Sequence, residues 1–176
     1  MNKIRLATVW LDGCSGCHMS LLDVDEDLAA VLAKAAIVYG PLVDAQEFPE
    51  GVDVTLVEGA VSNQNDLKQI QMIRKRTRVL VALGDCAVTA NVPSMRNYHP
   101  AKKLLERVYL SGTQSQQTIP SEGVPALLEK ALPVHDVVKV DFHVPGCPPA
   151  ASAILSVVSD LLAGRTPDPG LTLKFG

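Results

Sequence analysis

The stretch IRLATVWLDGCSGC, from Ile4 to Cys17, decides the fold. Its first seven residues, Ile4–Trp10, are an apolar run rich in strand formers, and Asp12-Gly13 breaks that run just before Cys14. From Met19 to Ala36 the apolar residues Leu21, Leu22, Leu28, Val31, Leu32 and Ala35 return at helical spacing. Asp23, Asp25, Glu26 and Asp27 stand near the amino end of that segment, where a helix dipole favours carboxylates. The order is strand, cysteine turn, helix.

The same alternation continues outward. Ile37–Tyr39 is a short strand ended by Gly40-Pro41, and Val52–Val57 a better one ended by Glu58-Gly59. Gln64–Arg76 reads as an amphipathic helix, with Leu67, Ile70 and Ile73 inside and Arg74, Lys75 and Arg76 at the carboxyl end. Arg78–Leu83 is an apolar strand closed by Gly84-Asp85-Cys86; Val124–Leu132 reads as a helix, Val137–Val144 as a strand and Pro149–Ala163 as a final helix. Residues 91–117 are the one long irregular segment, with only Lys102–Val108 helical in pattern. Segments of that kind inside compact domains are usually functional or disordered, and this one is expected to be a partner contact, with a solvated loop as the plainer reading. Alternating strands and helices predict βαβ units, right-handed crossovers and a parallel sheet of about five strands covered on both faces. The expected fold is therefore α/β, a flavodoxin-like three-layer sandwich, with residues 1–176 as a single domain.

Composition narrows the function classes. Hydrophobic residues make up 47% and charged residues 20%, with 16 Lys and Arg against 19 Asp and Glu, so no broad basic footprint for nucleic acid is present. Leu6–Leu11 is too short for a signal-peptide core and is stopped by Asp12, and no stretch approaches the ~20 apolar residues of a membrane span. The expectation is a cytoplasmic protein with no membrane partner. In a reducing cytosol, cysteines at these spacings point to metal binding or thiol chemistry more than to structural disulfides.

The four cysteines come together through topology. In a parallel sheet every strand's carboxyl end lies on one edge, where open α/β folds bind ligands. Cys14 and Cys17 follow the first strand, Cys86 the Arg78–Leu83 strand and Cys147 the Val137–Val144 strand, so all four meet at that edge. Four thiolates match a cubane iron–sulfur cluster with none left over. Small residues beside each cysteine, Gly13, Ser15 and Gly16, then Gly84 and Ala87, then Gly146, let backbone N–H groups approach the sulfurs. Three other readings stand beside this one. A four-cysteine zinc scaffold uses the same residues but usually two close-spaced pairs, and only one pair is present. A thiol oxidoreductase built on Cys14-Ser15-Gly16-Cys17 explains half the cysteines. Free cysteines also serve as packing residues, although the glycine and proline settings of Cys86 and Cys147 are unusual for that.

The segments LDGCSGCHMS (11–20), VEGAV (57–61), ALGDCA (82–87) and VPGCPP (144–149) together resemble the small subunit of [NiFe] hydrogenases and, more distantly, the related cluster-bearing subunit of respiratory complex I. They run through almost the whole chain in the family's order. Complex I relatives carry two adjacent cysteines at the first motif, whereas Cys14 and Cys17 are spaced as in hydrogenases. The absence of a twin-arginine leader and of a carboxyl-terminal domain with further clusters, together with Cys17-His18-Met19-Ser20 and the segment Asp85–Asn97, makes the chain most similar to soluble NAD-reducing hydrogenases.

The resemblance implies that Cys14, Cys17, Cys86 and Cys147 ligate one [4Fe–4S] cluster, that no residue here is catalytic in the strict sense, and that the chain conducts electrons. It implies a large subunit holding the NiFe centre and diaphorase subunits carrying iron–sulfur clusters, FMN and the NAD site; the chain itself has no Gly-x-Gly-x-x-Gly after a strand. A complex I-like or membrane-bound hydrogenase is the alternative assembly. Glu58 falls in the family's Glu-Gly motif, which implies a role beside the cluster or as an oxygen ligand in one oxidation state; a solvated or helix-capping carboxylate is the plainer reading. His18 is expected either to donate a hydrogen bond to the cluster or to be an ordinary helix-start residue, and Asp85 to shape the turn before Cys86. His99, His135 and His143 have no partner at ligand spacing.

Overall fold

The computed structural model describes residues 3–111 and 118–168. Strands β1 (Ile4–Trp10), β2 (Ala35–Tyr39), β3 (Val52–Glu58), β5 (Thr77–Leu83) and β7 (Phe142–Val144) form one sheet in the order β2-β1-β3-β5-β7. Every pairing in it is parallel. Counting only the strands of this sheet, the order is that of flavodoxin-like doubly wound folds. A two-stranded antiparallel ribbon, β4 (Val61–Asn63) and β6 (Leu127–Leu132), stands apart from it.

The strands are apolar almost without interruption because both faces are covered. On one face Leu6, Val54, Leu56, Val81 and Leu83 pack with Val31 of α2 (Asp27–Lys34) and with Ile154, Val157, Val158 and Leu161 of α6 (Ala151–Leu162). On the other, Ala7, Val9, Val57, Leu80 and Ala82 meet Phe48, Val134 and Ile70 and Ile73 of α3 (Gln64–Arg76). Ala87, on the short α4 (Asp85–Thr89) that follows β5, is buried in the same layer. The start of α3 is fixed by a reciprocal cap: Asn63 Oδ1 accepts from the Asn65 and Asp66 N–H groups, and Asp66 Oδ2 accepts from the Asn63 N–H.

Three elements differ from the sequence expectation. The Met19–Ala36 helix is two helices, α1 (Gly16–Leu22) and α2, separated by turns in which Asp25 takes φ 49° and Val24 is buried. Aspartate tolerates that left-handed conformation; Asp23 and Asp25 form the corner, while Asp27 lies in the first turn of α2. Val124–Leu132 is not a helix; its carboxyl-terminal part is β6. Its helical spacing of apolar residues is overridden by distant partners. Arg96 donates to the Leu128, Glu129 and Ser62 carbonyls, and Asn97 both donates to the Ala131 carbonyl and accepts its N–H, each at 2.8 Å. β7 is shorter than Val137–Val144, because Asp141 uses its carboxylate to accept the Leu80 N–H at 2.9 Å, and strand pairing begins only at Phe142.

Residues 91–111 are more regular than expected: a 3₁₀-helix over Val92–Tyr98, α5 (Ala101–Glu106) and a π turn over Arg107–Ser111. The remainder of the 91–117 segment, residues 112–117, lies outside the described residues. No described helix is long and apolar enough to cross a membrane.

Asp141 pins β7 to β5. Burial pushes its carboxyl up, but the Leu80 N–H and the Arg74 guanidinium, 2.6 Å away, outweigh that and hold it below the usual carboxylate range. A depressed carboxyl stabilises the fold at pH values above the unfolded pKa of about 4, and this contribution fades as pH falls through the folded value. Asp141→Asn is therefore expected to lower unfolding free energy by about 1–3 kcal/mol at pH 7, with the gap to the parent chain shrinking towards pH 3, as measured by urea denaturation.

Candidate metal centre

The registers of four strands put their last residues in one row: Trp10 opposite Glu58, Glu58 opposite Leu83, and Leu83 opposite Val144. The chain leaves the sheet after each of these positions, and the first cysteine beyond each of three of them lies within four residues. The loops are laced to each other as well as to the sheet. Leu11 N–H donates to the Glu58 carbonyl at 2.9 Å, and Asp12 and Ala60 exchange backbone bonds of 3.1 and 2.8 Å, which clasps the turns after β1 and β3. Gly84 N–H donates to the Val144 carbonyl at 2.8 Å. Asp85 N–H donates to the Gly146 carbonyl at 2.9 Å while its Oδ1 accepts the Gly146 N–H at 2.7 Å, binding the Cys86 turn to the Cys147 loop. Ser20 Oγ donates to the Pro149 carbonyl at 2.6 Å and ties α1 to that loop.

All four thiols are free; Cys17 is buried, Cys86 half-buried, and Cys14 and Cys147 exposed. They feel one another. Burial, then the Glu58 carboxyl, then the other three thiols push the Cys17 thiol far above its ordinary range. Burial and the Cys147 and Cys14 thiols raise Cys86 to about 11, against a hydrogen bond from the Val92 N–H that lowers it. Thiols held protonated in this way release protons when metal binds them.

Among the described residues, no three His, Cys, Asp or Glu side chains converge as ligands of a single metal ion. Four thiols gathered at one edge are the donor set of an iron–sulfur cluster, in which each thiolate binds a different iron. The backbone leaves room for the Cys17 sulfur. At Gly84, with φ 82°, a Cβ atom would collide with Cys17 Sγ. The donor set and this cradle fit an iron–sulfur cluster held by Cys14, Cys17, Cys86 and Cys147.

Glu58 is 1% exposed, which removes the solvated reading. Its Oε2 accepts the His18 backbone N–H at 3.0 Å and bonds the His18 ring at Nδ1. Ser15 at the N-cap of α1 makes no side-chain cap, so Glu58, reaching across from β3, supplies it. His18 meets Glu58 through both its backbone N–H and its ring Nδ1, and its Nε2 is buried with no hydrogen-bond partner among the described residues. His135 and His143, expected to be structural or exposed, stack edge to face with ring centroids 5.7 Å apart. The bond between Ser20 and Pro149 went unread in the sequence, since a serine two residues beyond His18 carries no signal of its distant partner.

A flavodoxin-like sheet that gathers four cysteines and a buried carboxylate at one edge defines a candidate metal-binding α/β domain. The chain belongs to the family of the 20 kDa subunit of NADH ubiquinone oxidoreductase, whose model matches residues 14–161. It is 40% identical over 166 residues to a subunit of the F420-non-reducing hydrogenase vhu of Methanocaldococcus jannaschii, covering 93% of this chain and 58% of that one. It is 36% identical to the delta subunit of the NAD-reducing hydrogenase HoxS of Cupriavidus necator, covering 93% and 81%. The chain thus spans less than two thirds of the methanogen relative's length. Among solved structures it is similar to a chain of an NAD+-reducing [NiFe]-hydrogenase in the H2-reduced state, with TM-score 0.94, 38% identity and coverage of 99% and 100%. A [NiFeSe]-hydrogenase of Dm. baculatum, at 18% identity and TM-score 0.59, shares the fold.

Gly84→Ala is expected to abolish cluster retention, because both the backbone conformation and the Cys17 sulfur exclude a Cβ. Iron and acid-labile sulfide per chain would fall to background while far-ultraviolet circular dichroism stays near that of the parent.

Proposed function

We propose that this chain, as one domain over residues 1–176, is the electron-transfer small subunit of a cytoplasmic NAD-reducing [NiFe] hydrogenase. In this reading Cys14, Cys17, Cys86 and Cys147 hold one [4Fe–4S] cluster. The observation that supports it most is the gathering of four mutually interacting free thiols at three flush strand ends. The likeness to the NAD+-reducing enzyme over the whole of both chains adds the electron acceptor. Once bound there, a [4Fe–4S] cluster supplies one-electron transfer.

The chain's own residues do the holding and the shaping. Cys17 and Cys86 anchor the inner side of the site and Cys14 and Cys147 the outer side. Asp85 keeps the Cys86 and Cys147 loops at a fixed separation, and the Gly84 cradle admits the Cys17 sulfur. Glu58 places a buried carboxyl beside Cys17 and Cys86, where it raises both thiols, and its place in the family's Glu-Gly motif would make it the residue that supplies an oxygen ligand in one oxidation state. The partners are a large subunit holding the NiFe centre, where H2 is split, and diaphorase subunits with iron–sulfur clusters and FMN, giving H2 + NAD+ = H+ + NADH overall.

Partner contact falls on the 3₁₀-helix that follows α4. Val92, Met95 and Tyr98 recur every three residues, the period of that helix, and are 60%, 68% and 88% exposed in one apolar line. Met95→Asp together with Tyr98→Asp is expected to weaken co-purification of the partner subunits by roughly tenfold or more while iron content is kept.

A second acceptor is favoured by one observation, the 40% identity to a subunit of an F420-non-reducing hydrogenase. Hydrogen-dependent NAD+ reduction by the complex from its native source separates the two. The cluster itself is tested by anaerobic reconstitution, with about four iron and four sulfide per chain expected. Stoichiometric zinc without labile sulfide would sink it.

A further inference from the structure

His18 follows a cysteine of the site, yet neither of its donors is used on sulfur. The backbone N–H and the ring Nδ1 both reach Oε2 of Glu58, a side chain almost wholly removed from solvent. The other ring nitrogen, Nε2, is buried and has no hydrogen-bond partner among the described residues. A buried N–H without an acceptor is a rarer and costlier defect than a buried lone pair. The ring therefore carries its hydrogen on Nδ1, where Glu58 receives it, and leaves Nε2 bare. Rotation of the Glu58 carboxyl would break the Nδ1 bond and lose its cap on α1, so one carboxyl oxygen is fixed by two bonds from a single residue. The same carboxyl stands at the end of β3, opposite Trp10 and Leu83, between the strands whose following loops carry Cys14, Cys17 and Cys86.

We propose that His18 is a positioning residue that regulates the electron-transfer site through Glu58: its Nδ1–H locks the carboxyl in one orientation beside Cys17 and Cys86, and so sets the potential and electronic structure of the cluster held there. This rests on the cluster reading above. In this reading His18 acts on the cluster only through Glu58, which yields a stereochemical signature. The amide nitrogen of asparagine branches at the atom that carries Nδ1 in histidine, whereas that of glutamine extends to the Nε2 position. Asparagine at 18 should therefore do the work of histidine and glutamine should not.

The test compares the reconstituted full chain with its His18→Asn, His18→Gln, His18→Leu, Glu58→Gln and His18→Leu/Glu58→Gln variants, reading the midpoint potential and the electron paramagnetic resonance spectrum of the reduced cluster. His18→Leu and His18→Gln are expected to shift both, His18→Asn to keep the parent values, and the double variant to move no further than Glu58→Gln alone. An unmoved His18→Leu, a rescue by glutamine instead of asparagine, or additive shifts in the double variant would overturn the proposal. A parent chain that takes up no iron and sulfide would fail the cluster reading instead. The positioning claim is then judged on the cluster-free full chain by nitrogen-15 resonance of His18: a protonated Nδ1 with a bare Nε2 upholds it, and the opposite tautomer overturns it.

Discussion

Parallel pairing allows little freedom in where strands end relative to one another, and most of this molecule follows from that. Trp10, Glu58, Leu83 and Val144 lie in one row because the ladders between β1, β3, β5 and β7 are in continuous register. A slip of one residue in any ladder would turn every side chain of that strand to the opposite face, exchanging Leu56 with Val57 against different helices. The two apolar layers thus hold the register, and the register holds the row. Loops leaving a level row can be laced by backbone bonds alone, as at Asp12 and Ala60 and at Asp85 and Gly146. The position of the thiols is in this sense a property of the core.

Much of this was legible in the sequence, for a physical reason. Strands buried on both faces are unbroken apolar runs bounded by glycine, and β1, β3 and β5 are of that kind, so their ends and the cysteines beyond them could be read locally. α3 could be read to its last residue because Asn63 and Asp66 write its start and Arg74, Lys75 and Arg76 its end. The failures share a cause. β6 takes its conformation from Arg96 and Asn97, some thirty residues earlier, and β7 is shortened by the reach of Asp141 to Leu80. No local window contains those partners. At the site, the cysteines announce themselves by type, whereas the link from Glu58 to His18 spans two elements and appears only once β3 and α1 are brought together.

The site also shows a division between rigid and compliant support. Cys17 and Cys86 stand on short helices whose first turns are tied into the sheet edge, one by Glu58 and the other by Asp85. Cys14 and Cys147 lie on exposed loop positions. Metal sites are tuned by what surrounds the ligands as much as by the ligands themselves. Here the inner pair is enclosed by the fold, and the outer pair faces the side on which the chain can meet other proteins.

The bond from Ser20 to the Pro149 carbonyl joins two points 129 residues apart. A contact of such sequence separation closes late in folding, since the intervening chain must first be ordered. During synthesis the first two cysteines leave the ribosome long before Cys147 does, and for that interval they belong to an unfinished edge. A chain truncated or stalled before β7 would present thiols with no enclosure. Completion of the last strand and helix is therefore what brings Cys147 to the edge where Cys14, Cys17 and Cys86 already lie.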